Sequence, residues 1–407
     1  MRKLKTTQLR CCLLTSKILI AEISGKRPGD KSKRPTEKFD YDYDKVIISN
    51  NSEGYVTDWP IINVPKAYEE WYKQHCKMSD LAYYAPMNRS YAIKYAREKG
   101  YDYLVQLDDN IITFNIKYLV KEGDGTGVNY STIAATPNKG NLPNDMFRYM
   151  AEILNNTNVG MVGMAPDSAA VPQDDYLKER YVYSAFMLNL KRVPAYFQGD
   201  FEDDIEYRLK LKQIQVPSLE IVPFHYSKTA QGDGKNEDTT GNREAYIKAG
   251  LKRGEHMSKI YGDYYERGYS DRGSGIRRTG KVKFRHKVKS FKVGVRIKNQ
   301  EYLKREILGI FEKYATKKPD KINVKVDIPK INFDFTLSKD NYYEDLFEVS
   351  FFAVKNGLSF QRIKYNLENS KSVFRIKIDY DNENKDALLD GLSKITTPLA
   401  KEKVLLK

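Results

Sequence analysis

The amino-acid sequence predicts an α/β protein, with a mixed sheet flanked by helices and a smaller α+β domain after it. Two observations carry that prediction. From residue 44 to about 250, apolar strand-like runs alternate with segments of helical period, the pattern of a sheet with a substantial parallel part. Near Gly273 the composition changes, and strands and helices then follow in roughly a β-α-β-β-α-β rhythm, a ferredoxin-like pattern. The 407 residues are enough for two or three domains and a sizeable core.

Residues 1–23 mix apolar and basic side chains and match no element. "GKRPGDKSKRPTEK" (25–38) is rich in Pro, Gly and charge and reads as an exposed loop or linker, so residues 1–43 are set aside as an N-terminal segment. "DKVIISNN" (44–51) and "WPIINVP" (59–65) read as strands, and "KAYEEWYKQH" (66–75) as a helix. In "NRSYAIKYAREKG" (88–100), Tyr91, Ala92, Tyr95 and Ala96 share one helical face and Gly100 stops the helix. "YDYLVQLDDNI" (101–111) is an apolar strand that runs into acid. "DMFRYMAEILNN" (145–156) and "DDIEYRLKLKQ" (203–213) read as helices. "VGMVGMAP" (159–166), "YVYSAFMLNL" (181–190) and "LEIVPFHY" (219–226) read as strands. The predicted domains are thus 44–272 and a basic accessory domain, 273–407.

Composition narrows the function classes. No apolar run approaches the ~18–20 residues of a membrane span, and "CCLLTSKILIAEI" (11–23) is broken by Lys17 and Glu22. Three cysteines, two of them adjacent, make neither a disulfide framework nor a zinc site, so a reducing cytoplasm is the expected compartment. The formal charge is +15, and residues 226–298 hold 19 Lys/Arg against 8 Asp/Glu. Within 275–298 there are ten Lys/Arg and no acid, a composition suited to a polyanion such as DNA, although a solvated basic strand pair has the same composition. Lys281, Lys283, Arg285, Lys287 and Lys289 share one strand parity.

The chemistry-bearing residues sit at element ends. In open α/β sheets ligands bind beyond the carboxyl ends of the strands, where Asp108, Asp109 and Asn110 fall. A hard divalent cation bridging to phosphates would compensate such carboxylates, whereas a solvated turn would also accommodate them. A second acid cluster, "DFEDDIEY" (200–207), opens a helix, where Asp203 or Asp204 suits a cap as well as a site. His225 lies at a strand end 21 residues beyond Asp204.

These stretches, together with "VIISNN", "NRSYAIKYAREKGYDYLVQLDDN" and "FHYSK", resemble the GT-A-fold, Rossmann-like nucleotide-sugar glycosyltransferases over roughly residues 44–250. The narrower likeness, through "APMNRSYAI" and "QLDDNI", is to the phage and TET-associated glycosyltransferases that modify hydroxymethylated pyrimidines in DNA. The resemblance implies transfer of a hexose from a UDP-sugar such as UDP-glucose. It implies that Asp108, Asn110 and His225 hold Mn²⁺ or Mg²⁺, although Asn110 departs from the commonest last acid of the motif. It implies that Asp204 is the catalytic base with Asp203 before it; the alternative frame pairs Glu202 with Asp203. Ser49 and Asn50 would flank the base and ribose, and Arg89 and Asp109 the nucleotide. Lys228, Lys235 and Arg243 lie in a stretch, 227–244, expected to close over the diphosphate. Tyr181, Tyr183 and Phe186 serve either an acceptor base or the core. A GT-A enzyme acting on protein or glycan, a nucleotidyltransferase and an inactive DNA-binding protein remain alternatives.

Overall fold

The computed structural model describes residues 16–76, 84–120, 130–135, 141–167, 177–179, 182–197, 203–229, 252–262, 265–269, 277–279, 282–288, 294–317, 319, 330–337, 342–366, 371–379 and 384–396. By the density of internal contacts the chain divides into two compact units, 1–291 with 297–326, and 292–296 with 327–407. The division falls later than the composition break at 273.

The first unit is organised by a large mixed parallel and antiparallel sheet flanked by helices. Its strands are β1 (Ile18–Ser24), β2 (Asp44–Ser49), β3 (Ile61–Asn63), β4 (Tyr103–Asp108), β5 (Ile111–Leu119), β6 (Tyr130–Ala135), β7 (Met161–Pro166), β8 (Leu177–Lys178), β9 (Ala185–Asn189) and β10 (Ser218–Lys228). They lie in the order β3-β2-β1-β4-β9-β7-β10-β5-β6, with β8 pairing β10. The strands from β3 to β4 in that order are mutually parallel; β9 is antiparallel to both β4 and β7. β1 and β4 are buried along nearly their whole length, and a strand covered on both faces carries a continuous apolar run instead of an alternating one.

β1 overturns one expectation. Residues 18–24, which match no element by sequence, form a central strand between β2 and β4. The stretch 25–38 is not an exposed linker either. It ends in a short 3-10 turn, Pro35–Lys38, whose Pro35, Thr36 and Glu37 are buried. Thr36 Oγ1 donates to Asp108 O (2.6 Å) and accepts from Ile111 N (2.9 Å), stapling this segment to the acidic turn. Arg34 is fully buried. It donates to Glu37 Oε1 (2.5 Å) and to the carbonyls of Arg27 (2.7 Å), Gly29 (3.1 Å) and Val56 (3.2 Å), with its guanidinium 4.1 Å from the Tyr55 ring centroid. The stretch reads as solvated because sequence does not show how many acceptors a single buried guanidinium satisfies.

The helices flanking this sheet include α1 (Lys66–His75), α2 (Ala85–Glu98), α3 (Leu142–Asn156), α4 (Asp203–Gln213), α5 (Lys252–Tyr261) and α6 (Gln300–Tyr314). α2 has proline in its first turn, and Gly100 follows it at φ +74, a left-handed stop that costs glycine little. α6 docks on α3: Arg148 pairs with Glu306 (2.8 Å), and Asp145 receives Lys313 (2.7 Å) and Tyr314 (2.6 Å). That pairing holds 300–314 in the first unit. A small antiparallel sheet also belongs to it, made of β11 (Tyr265–Tyr269), β12 (Arg277–Thr279) and β13 (Val282–Val288) in the order β11-β13-β12.

The second unit has β14 (Lys330–Leu337), α7 (Tyr342–Lys355), β15 (Ser359–Asn366), β16 (Lys371–Asp379) and α8 (Lys385–Thr396). Its strand order is β14-β16-β15, antiparallel throughout, over a core that includes Phe333, Val349, Phe374, Ile376 and Leu392. This is a β-α-β-β-α unit; residues beyond 396 lie outside the described chain.

Arg34 is the cation of a buried cluster with Glu37 and Glu22. Its loss leaves the buried Glu37 carboxylate without its cation, and Glu22, 3.8 Å away, more isolated. Arg34→Met is expected to cost about 3–5 kcal/mol, read as a lower urea midpoint at unchanged slope; a loss below about 1 kcal/mol would refute the assignment.

Candidate active site

The parallel order β3-β2-β1-β4 places the carboxyl ends of β1, β2 and β4 side by side. β1 leads to β2 on one side, and β4 leads away to β5 on the other. Where connections part in this way, an open α/β sheet holds ligands. β1 ends at Ser24, β2 at Ser49 and β4 at Asp108. From β4 the chain turns through Asp109 and Asn110 into β5, which pairs with β10 and not with β4. Thr229 N donates to Asn110 O (3.0 Å) and Asn110 Nδ2 to Thr229 O (2.8 Å), so the end of β10 closes on the acidic turn.

Arg89, on the buried face of α2, joins three elements. Its Nη2 donates to Asp108 Oδ1 (2.7 Å), its Nε to Asp203 Oδ2 (2.6 Å) and its Nη1 to Gln106 Oε1 (3.3 Å). Gln106 Nε2 in turn donates to Arg89 O (3.0 Å), and the Phe186 ring centroid lies 5.2 Å from the guanidinium. Lys228 comes from the other side: its Nζ donates to Asp108 Oδ2 (3.0 Å) and Ser184 Oγ (2.8 Å). Ser184 holds φ +32, an unfavourable conformation for a residue with a Cβ, and its carbonyl accepts from Asp108 N (2.9 Å).

Asp109 faces the β1 side. It accepts from Ser24 Oγ (2.7 Å) and pairs with Arg27 Nε (2.9 Å). Asn88 Nδ2 donates to Ser24 O (3.0 Å) and to Asn50 Oδ1 (3.2 Å). Tyr55 OH bonds Ser24 Oγ (2.9 Å), and Ser49 Oγ accepts from Asn51 N (3.1 Å). A Cβ at Gly25 would stand 3.1 Å from Asn50 Oδ1, so glycine lets the β1 end approach β2 closely.

Burial raises the Asp108 carboxyl, but Lys228 and Arg89 outweigh it and hold it down at about 2. Asp203 goes the other way: burial raises it, and the charge on Asp108 opposes the help from Arg89. The two acids thus share one guanidinium unequally, and the partly exposed Asp108, with Lys228 besides, keeps its charge more firmly. Burial also raises Asp109, to about 6 after Arg27 and Ser24 pull it back.

Ser49, Asn50, Arg89, Asp108, Asp109, Lys228 and Asp203 therefore meet at one edge of the sheet. Asp204 occupies the next position of α4, and its side chain lies outside the described residues, as do Glu202, Tyr181 and the stretch 230–251 with Lys235 and Arg243. Phe186 is core, 1% exposed. The sequence reading misses Ser24, Arg27, Asn88, Gln106 and Ser184. "SGKR" after the apolar run 18–23 and the Asn beside Arg89 are the available signals.

The expected metal set is not assembled. His225 is buried on β10, opposite Asn115 of β5 and Ala165 of β7. Burial and the Lys117 ammonium lower it to about 4, so the ring is neutral near pH 7, and its Nδ1 donates to Pro166 O (3.3 Å). Both Asp108 oxygens carry cations, and Asn110 donates its Nδ2 to Thr229 O, which leaves its Oδ1 as the atom open to a ligand. Among the described residues no three His, Cys, Asp or Glu side chains gather where they could hold a metal ion. As arranged, both Asp108 oxygens are already paired with cations, and His225 points its Nδ1 to Pro166 O, although its buried Nε2 has no hydrogen-bond partner among the described residues. No helix among the described residues is long and apolar enough to cross a membrane.

The small sheet stands behind α4. Tyr265 of β11 is buried with Ile205 and Leu209 of α4 and Met257 and Tyr261 of α5. Tyr265 pairs with Val288, which shares its parity on β13 with Phe284 and His286. Lys283, Arg285 and Lys287 take the opposite parity, and Arg278 pairs with Lys283.

The chain matches no protein-family model, and no curated protein matches its sequence.

Two buried acids set a pH dependence. Glu22 is raised by burial and by the charges of Asp109 and Glu37, against Arg34 and Arg27, and neither of its oxygens has a hydrogen-bond partner among the described residues. Asp109 faces Arg27, Arg34 and Asp108. An acid whose folded value is raised contributes stability that is complete below its unfolded value, ~4, and is lost as pH rises through the folded value. The Asp109 contribution is therefore expected to fall between pH ~4 and ~6, by up to about 3 kcal/mol, while buried His225, lowered to about 4, contributes an opposing rise of about 3 kcal/mol between pH ~4 and ~6.5. Asp109→Asn removes the falling contribution and should leave stability, read by urea unfolding, rising with pH over that range; a pH profile unchanged from the parent would contradict the assignment.

Proposed function

We propose that the chain is a glycosyltransferase of GT-A type that moves a hexose from a nucleoside diphosphate sugar, such as UDP-glucose, to a hydroxyl group. The observation that carries the reading is the bridge from Asp108 through Arg89 to Asp203, because it sets a cation-lined strand end beside a helix-opening carboxylate. Donor site and base must lie side by side if a sugar carbon is to be attacked as its diphosphate departs.

In this reading the nucleoside lies over the ends of β1 and β2, against Ser49, Asn50 and Asn88. Lys228 and Arg27 meet the phosphates, whose negative charge grows as the sugar–oxygen bond breaks. The acceptor oxygen bonds to the sugar carbon, the diphosphate leaves with the bonding pair, and the acceptor proton passes to Asp203 or Asp204. The raised affinity of Asp203 for protons suits it to that task.

A hydroxymethylated pyrimidine in DNA is the proposed acceptor. The basic parity of β13 supports it, as does the packing of that sheet on α4, the helix that begins at Asp203. A 5-substituent projects into the major groove, although reaching it from a site of this kind requires the base to leave the stack or the duplex to distort.

The test is release of nucleoside diphosphate from a panel of sugar donors, with DNA that carries or lacks 5-hydroxymethylpyrimidines. Release that requires modified DNA is the expected result. Release with protein or glycan acceptors alone would replace the acceptor, and pyrophosphate release from a nucleoside triphosphate would replace the reaction. Asp203→Asn and Asp204→Asn should separate the base from its neighbour: the base variant is expected to lose ~10²–10⁴-fold in kcat with little change in donor binding.

A further inference from the structure

We propose that this site holds the diphosphate of its ligand with the side-chain cations Lys228 and Arg27, with Lys26 beside Arg27 in the chain, and that Asp108 and Asp109 serve to hold Lys228 and Arg27 instead of ligating a divalent metal. The inference rests on the glycosyl-donor reading for the identity of the ligand, but its geometry is independent of it.

Three cationic side chains, Arg27, Arg89 and Lys228, stand at these strand ends with three carboxylates, Asp108, Asp109 and Asp203. Each described pairing is direct. Asp108 meets Arg89 and Lys228 through different oxygens, at 2.7 and 3.0 Å. Asp109 meets Arg27 at 2.9 Å. A metal ion bound at Asp108 needs one of those oxygens. Displacing Arg89, whose side chain is 6% exposed, would pull a buried guanidinium from its anion; displacing Lys228 would leave an ammonium next to a dication.

The cations are placed for an anion. The Lys228 side chain is 41% exposed, and two of its three donors go to Asp108 and Ser184. Lysine binds phosphate as a compact point charge, and here a carboxylate and a hydroxyl fix where that charge stands. Lys26 and Arg27 follow Gly25 at the end of β1. Lys26 has φ +57, its N–H donates to Asn51 O (2.9 Å), and its Nζ lies 5.9 Å from the Tyr84 ring centroid. Cations thus stand at the ends of both β1 and β4, the two neighbouring strands over which a diphosphate would lie.

The experiment is calorimetric titration of the full chain, freed of metal with EDTA, with inorganic pyrophosphate, with a panel of nucleoside diphosphates, and separately with Mn²⁺ and Mg²⁺. The expected result is that at least one nucleoside diphosphate binds in EDTA and that added metal changes its affinity less than about 3-fold. Lys228→Met should weaken it by ~10-fold or more, the loss of a charge-assisted contact. Lys228 is part-exposed, so the variant is expected to keep its fold, checked by a single cooperative urea transition whose midpoint lies above the titration conditions. Binding that appears only with Mn²⁺ or Mg²⁺, or that is indifferent to Lys228→Met, overturns the inference and leaves the proposed function standing. No diphosphate binding with or without metal overturns both.

Discussion

A single buried guanidinium organises this site. Arg89 extends from α2 between the end of β4 and the start of α4, and its fork meets Asp108 and Asp203 through different nitrogens. Burying such a charge is costly unless each donor finds an acceptor, and here Gln106 and the face of Phe186 complete its surroundings. Lysine would not replace it, because one ammonium cannot span two carboxylates in fixed, divergent directions. The position of Asp203, and with it the start of α4, follows from that fork.

Around Arg89 the acids at the strand ends are matched by neighbouring cations, and the matching reaches into the backbone. The segment between β1 and β2 wraps across the acidic turn, with Thr36 bonded on both sides of Asp109 and Arg34 tying four acceptors. Ser184 is held in the left-handed region because its carbonyl and hydroxyl both serve this corner, one to Asp108 N and the other to Lys228. Strain of order 1–3 kcal/mol at such a residue persists where neighbours fix it from several directions. The corner is thus tied together by side chains from several elements, the kind of pre-positioning that the proposed stabilisation of a developing charge would use.

Much of this is legible in the sequence, within limits that have physical causes. β4 is legible because a strand buried on both faces is an unbroken apolar run, and its acid end stands out against that run. Asp108 and Asp203 stand out by their places at element ends, Arg89 through the resemblance and Lys228 near the start of the polar stretch 227–244, and all four meet in space. β1 does not, because its apolar stretch is short and carries Glu22, a buried acid that breaks the hydrophobic pattern. β5 is hidden because it follows Asp109 and Asn110 without the usual connection and pairs with β10, a partner about 110 residues on in the chain. His225 has the right position in the sequence, but the β10 register turns it toward Pro166 and the Lys117–Asp167 pair. Register is a property of paired strands, and a single sequence does not display it.

α4 links the two ends of the proposed reaction. Its Tyr207 and Leu211 enter the main core, whereas Ile205 and Leu209 enter the cluster with Met257, Tyr261 and Tyr265. Two apolar faces explain why this helix has little amphipathic signal in its sequence: it is a shared wall, covered on both sides. One side of that wall is the sheet whose strand ends hold the cations, and the other is the small sheet with its basic parity. Asp203 begins the helix, fastened by Arg89 to the first side while the helix body packs against the second. In the proposed reaction, a carboxylate at that boundary is the group that the donor and the acceptor hydroxyl would both have to reach.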